Sequence, residues 1–409
     1  MMGKKVSNHR SQGIMAVAGS SAALFWPGAF IFGFPGVMGS VWQKMFQVGK
    51  GPIGNTLFFV LAAVGLFMFF VGHWQERVGT RKMITMGALL CGLNAFLIAY
   101  VTTLPMLYLW AFLNGAASCF IYIPALTSVQ RWFPEKKGLV SGIVNLAFGF
   151  SAAIMAPLFS HLLQAVGYVS MNILLAWSAL LVGLIAAQFT EAPRSALPSI
   201  TNGPDNPGEP VVSERSLTVM ESIHTKAFWF LWLTWAFQGA AGIAMVTLSI
   251  NFGLSKGLAL SWAVFILSAF NITNGLSRIL MGFLSDKWER AGIMSITFLA
   301  AGCAYLVLPH MHTMTAFIFL AAVIGFAFGT LFAVSAPLVA DCFGLKHFGA
   351  VLGLVFTAYG FVSGILGPSL SGYVLDLFEG NYVIVFTYLG IFCLLSGFFV
   401  RRVVPLRRG

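Results

Sequence analysis

The sequence predicts an all-α membrane protein of twelve transmembrane helices in two pseudo-symmetric six-helix halves. Three observations predict it. Of the 409 residues, 58% are hydrophobic and only 9% charged, against about 25% charged in soluble domains. The apolar residues gather into twelve runs, each close to the roughly 20 residues that cross a bilayer. The first and second halves of the chain also repeat the same residues at a nearly constant offset. This composition is too apolar for a disordered chain, and five Cys are too few for a disulfide scaffold.

The runs fall near 14–39, 53–74, 83–104, 106–130, 139–163 and 168–190, then near 227–251, 259–284, 293–310, 314–340, 348–372 and 381–400. The first is too long for a signal peptide, contains Pro27 and Pro35, and lacks a small-residue cleavage pattern. Segment 191–226 is the one long interruption. Its Pro193, Pro198, Pro204, Pro207 and Pro210, with Gly203 and Gly208, do not continue a helix. It divides the chain into a half at 1–190, a linker at 191–226 and a half at 227–409.

The basic residues set the orientation. With the N-terminus in the cytoplasm, nineteen Lys and Arg fall on that side, among them Arg77, Arg81 and Lys82, then Arg131, Lys136 and Lys137, then Lys287 and Arg290. Only Lys44, Lys50 and Lys256 fall on the other. The positive-inside rule therefore predicts a multi-pass protein of the cell (inner) membrane with both termini and the linker cytoplasmic. The net charge of +11 follows from this bias and suits anionic headgroups of the lipid bilayer. Nucleic acid is not an expected partner, because the basic residues are scattered over short loops.

The repeat is clearest after the second and eighth runs. Gly72, Glu76 and Arg77 are matched by Gly282, Asp286 and Lys287 at an offset of 210, with Arg81 and Arg290 close behind. Phe133 and Phe343 share that offset, while Gly138, Gly142, Gly149 and Phe150 match Gly349, Gly353, Gly360 and Phe361 at 211. Parallel six-helix repeats are the architecture of alternating-access carriers, with the site between halves at mid-membrane. Acids and bases at these helix ends are suited to latch the halves together on one side.

Over its whole length the chain resembles the major facilitator superfamily. Gly72 to Arg81 is similar to that superfamily's loop signature, with Glu76 where Asp is usual. A narrower resemblance lies in Arg131 to Gly142, which is similar to the fifth-span signature of monocarboxylate and oxalate–formate carriers. Asn274 to Arg278, followed by Gly282 to Lys287, is similar to their eighth span. The resemblance implies a major facilitator fold and transport of a small carboxylate such as L-lactate or pyruvate, with a proton as the expected companion.

Arg278 is the one basic residue inside a run. A guanidinium there is costly unless it meets water or a counter-charge, and it does not release its proton. All twelve acids lie in loops, at helix ends or in the tail, so the substrate is expected to supply the negative charge, bidentately as a carboxylate. The alternative is that Arg278 snorkels to the cytoplasmic interface. Asn274 lies one turn earlier on the same face. Animal monocarboxylate carriers typically have Asp at that position, tied to proton coupling, so Asn274 removes the expected proton relay.

Tyr122 aligns with a Tyr of the oxalate–formate carriers, and Asn114 and Asn145 are further polar candidates in the fourth and fifth runs. Phe332 and Phe356 are expected to face the cavity. Tyr359 stands where the resemblance to oxalate–formate carriers implies a Lys, which leaves one fixed cation and favours a monoanion over a dicarboxylate. No metal-spaced cluster, nucleotide motif or paired carboxylate suggests an enzyme, a cofactor or a metal site. The expected function is gradient-driven transport of small monocarboxylates; a carboxylate exchanger and a non-transporting receptor are the alternatives.

Overall fold

The computed structural model of the protein describes residues 2–133, 137–191, 217–344 and 348–404. Residues 134–136 of the fifth-span signature, Lys346, and the linker prolines lie outside the described residues.

The first span is built from α1 (Met2–Phe32) and α2 (Phe34–Phe46), with Gly33 between them. Pro35 has no N–H to give the preceding turn, so the helix breaks there and restarts. The span consequently runs to residue 46, beyond the expected end at 39. The next helices are α3 (Lys50–Val78), α4 (Thr80–Ala99) and α5 (Leu104–Trp132).

The continuous stretch α6 (Lys137–Ala187) has 51 residues, about 76 Å if straight and more than twice the hydrocarbon thickness. Gly167, at φ +78°, breaks it into two. Tyr168 donates to the Ile98 carbonyl at 3.0 Å and accepts from Trp42 at 3.0 Å on one face of the membrane. The far end returns to the other face, where Ser128 donates to the Thr190 carbonyl and Trp132 to the Glu191 carbonyl. Eleven stretches among the described residues are long and apolar enough to span. This one contributes two, giving the expected twelve.

Where a helix-free linker is expected, Thr218 and Glu221 form a reciprocal capping box that starts a short helix, α7 (Val219–Ile223). Thr225 then caps α8 (Lys226–Ser255). The spans continue as α9 (Leu260–Ser285), α10 (Arg290–Val307) and α11 (Met314–Phe343). The eleventh span is α12 (Phe348–Thr357), two π-helical segments at Ala358–Ser363 and Ile365–Ser369, and α13 (Leu370–Leu377). Helix α14 (Tyr382–Arg401) ends the bundle.

The crossings repeat as the sequence does. A Cβ on Gly115 would lie 2.1 Å from the Val60 carbonyl, and one on Gly325 would lie 2.1 Å from the Phe270 carbonyl. Both residues of the second pair sit 210 positions after those of the first. Between the halves, Gly149 meets Gly275, and Gly65 meets Gly360, backbone against backbone. These two contacts are also mates under the repeat. Glycine at such positions lets helices approach without a hydrophobic driving force. On the less basic face the halves are further joined by Asp376, whose carboxylate accepts from the Lys50 and Gly51 backbone N–H groups at 2.7 Å each.

Candidate functional site

The central cavity is small, about 30 Å³, room for two or three waters. Residues from both halves line it, and Tyr122, Phe332, Phe356 and Tyr359 are among them.

Arg278, Asn274 and Asn145 do not themselves line this cavity, but the Arg278 guanidinium packs directly behind three residues that do, Phe32, Phe148 and Phe332. Arg278 is 2% exposed and does not run to the membrane interface. Its NH1 donates to Asn145 Oδ1 at 3.3 Å across the junction of the halves, and its NH2 donates to Asn274 Oδ1 at 3.3 Å on its own helix. Asn145 Oδ1 also accepts from the Tyr122 hydroxyl at 2.7 Å. Arg278, Asn274, Asn145 and Tyr122 therefore form one hydrogen-bonded chain.

The guanidinium is also stacked among aromatic rings. Its carbon is 4.5 Å from the Phe332 ring centre, 5.8 Å from Phe148 and 6.0 Å from Phe32. Cation–π attraction is strongest when the cation is desolvated, as it is here. Phe32 and Phe148 were not singled out by sequence. Phe148 sits three residues after Asn145 on the same helical face, a spacing that marks it in retrospect. With 40 Phe in the chain, nothing in the sequence separates Phe32 from the others. Its neighbourhood comes from the break at Gly33: the Phe32 carbonyl accepts from the Asn271 amide at 3.2 Å.

Among the described residues no Asp or Glu pairs with Arg278. Its Nε, the Asn274 Nδ2 and the Tyr359 hydroxyl are buried without hydrogen-bond partners. Buried donors of this kind are normally satisfied, so the site presents three unused donors and, among the described residues, one cation without a carboxylate counter-charge. That arrangement suits an acceptor-rich anion.

Tyr359 lies in the first π-helical segment and packs edge-on against Phe332 and Trp235. Phe356 is 4.5 Å from Trp235, centre to centre. Asn114 is buried with its Nδ2 unpartnered, but it does not line the cavity.

The loop-motif charges brace their own halves. Arg81 pairs with Glu191 at 2.9 Å and donates to the Gln188 carbonyl. Arg290 pairs with Asp286 at 3.4 Å and with Asp341. Lys287 lies over the Phe283 ring, and no Cβ contact would restrict Gly72 or Gly282. Arg77 is exposed on the last turn of α3. Glu76 belongs to α3, but its side chain lies outside the described residues.

Comparison with known proteins gives this architecture a family. The Major Facilitator Superfamily family model matches residues 15–270 and 239–409. The chain is 26% identical over 321 residues to the oxalate:formate antiporter of Oxalobacter formigenes, covering 77% of this chain and 74% of that one. It is 27% identical to monocarboxylate transporter 13 of Rattus norvegicus, covering 81% of this chain and 74% of the relative. Its fold is similar to a bacterial homolog of the human lysosomal transporter Spinster in an inward-facing, unoccupied conformation, with a TM-score of 0.70, 14% identity, and 97% and 93% of the two chains covered. Twelve spans in two repeats, meeting at glycine crossings around a central cavity, are thus those of a transporter, and the chain belongs to the Major Facilitator Superfamily.

Proposed function

We propose that the protein is a secondary active carrier of small monocarboxylates of the lactate and pyruvate class. It works by alternating access, with the substrate carboxylate held by Arg278. The observation that carries this reading is the buried guanidinium whose only hydrogen-bond partners among the described residues are two neutral amide oxygens. A carboxylate replaces those oxygens on the same two nitrogens with charge-assisted bonds. The unused donors of Asn274 and Tyr359 serve a second acceptor, such as a 2-oxo or 2-hydroxy group. The relatives named for monocarboxylates and for oxalate and formate support the substrate class.

The basic face is assigned to the cytoplasm of the inner membrane. Transport is coupled to protons. Because Asn274 does not ionise, the proton accompanies the anion rather than residing on a carboxylate beside Arg278. The loop motifs latch the halves in the conformer that closes the basic face.

Uptake of radiolabelled L-lactate into proteoliposomes tests the reading. Uptake above that of empty liposomes, increased by an inside-alkaline gradient, is expected. No uptake and no counterflow of any small carboxylate overturns it.

A further inference from the structure

The repeat relates the polar stripe of α9 that carries Arg278 to a stripe of α3, and the mates differ sharply in polarity. Asn271, Asn274 and Arg278 of α9 correspond, at 210 positions, to Leu61, Val64 and Met68 of α3. The correspondence holds in three dimensions: Gly275 on α9 meets Gly149, and its mate Gly65 on α3 meets Gly360, the mate of Gly149. The same offset relates the Gly115 and Gly325 crossings, which involve these same two helices. Leu61, Val64 and Met68 all line the central cavity, joined by Ile31 and Cys119. The apolar stretch of cavity wall at Leu61, Val64 and Met68 therefore lies at the place symmetry-related to the buried Asn271, Asn274 and Arg278, while Ser118, Tyr122 and Tyr359 bring hydroxyls to other parts of the wall.

From this asymmetry we propose that Leu61, Val64 and Met68 form the subsite for the substrate's apolar end, and that Met68 determines specificity for monocarboxylates bearing an alkyl tail. The proposal rests on the reading that Arg278 holds the carboxylate. A second carboxylate would face Met68 without a donor or cation and would lose its hydration uncompensated. An alkyl group gains there by leaving water. Methionine is flexible and adapts to tails of different shape.

The test is competition against labelled pyruvate in proteoliposomes. The competitors are 2-oxobutanoate, 4-methyl-2-oxopentanoate, malonate and succinate, applied to the wild type, Met68→Ala and Met68→Arg. For the wild type, the alkyl 2-oxo acids compete at least tenfold better than either dicarboxylate. Met68→Ala enlarges the subsite and shifts preference toward 4-methyl-2-oxopentanoate over pyruvate by at least fivefold. Met68→Arg restores a symmetric cation and raises the dicarboxylate-to-monocarboxylate preference at least tenfold.

Should Met68→Arg not fold, the Met68→Ala chain-length shift decides alone. Unchanged preferences in a folded variant overturn the subsite while leaving the Arg278 reading intact. If the wild type binds the acids but Arg278→Gln binds them equally well, the underlying reading fails instead.

Discussion

The Arg278 guanidinium, from the second half, donates to the Asn145 side-chain oxygen, from the first, at 3.3 Å. This bond joins the halves at the depth of the cavity. The same oxygen accepts from Tyr122, which would leave it a partner when a substrate carboxylate takes its place on Arg278.

Asn145→Asp is expected to compete with the substrate. Its carboxylate would sit where the neutral oxygen sits and pair with Arg278 permanently. The apparent KM for L-lactate rises at least tenfold, and protein stability stays the same or improves. An unchanged KM contradicts a shared position for Asn145 and the substrate carboxylate.

Glycine placement gives a second prediction. A Cβ on Gly329 would lie 2.0 Å from Ser277 Oγ and 2.1 Å from the Asn274 carbonyl. Gly329→Val must push α11 away from α9 and displace Asn274, so uptake is expected to fall at least tenfold. At Gly142 the nearest atom to an added Cβ is 3.7 Å away, and Gly142→Ala is expected to transport within twofold of wild type. Equal effects of the two substitutions would show that the close crossing does not position the site.

Much of this was legible in the sequence, for identifiable reasons. Long apolar runs report spans because a bilayer leaves no other way to satisfy the backbone. Gly167 falls between the fifth and sixth runs, so the sequence separates two spans that the helical hydrogen-bond pattern nearly merges. Arg278 stands out because a cation within an apolar run is costly, and Asn274 because of its helical spacing from it.

Other features depend on geometry that no local pattern carries. Phe32 meets Arg278 only because the chain breaks at Gly33, and the π-helical turns that carry Tyr359 follow no periodicity of side chains. Asn114 is marked in the sequence by polarity alone, which does not tell a cavity wall from a buried helix contact. The capping-box spacing of Thr218 and Glu221 is the one local signal for the short helix α7, and it lies next to a proline-rich segment that masks it.

On the less basic face, Asp376 accepts from two backbone N–H groups at the start of α3, where the partial positive charge of the helix favours an anion. The bond joins the halves and must part if that face opens. Asp376→Ala is expected to weaken the closure, raising amide exchange at Lys50 and Gly51 by about two- to fivefold for an exposed contact of this kind. Unaltered exchange at both amides would mean that Asp376 does not hold the face shut.

Binding of L-lactate to purified wild type and to Arg278→Gln decides whether Arg278 holds the substrate carboxylate. Removing one partner of a buried charged pair costs about 3–5 kcal/mol, so the Kd is expected to rise at least one hundredfold, with the variant folded and its Tm no lower than that of wild type. Equal affinity in the two proteins would mean that Arg278 does not hold the substrate carboxylate.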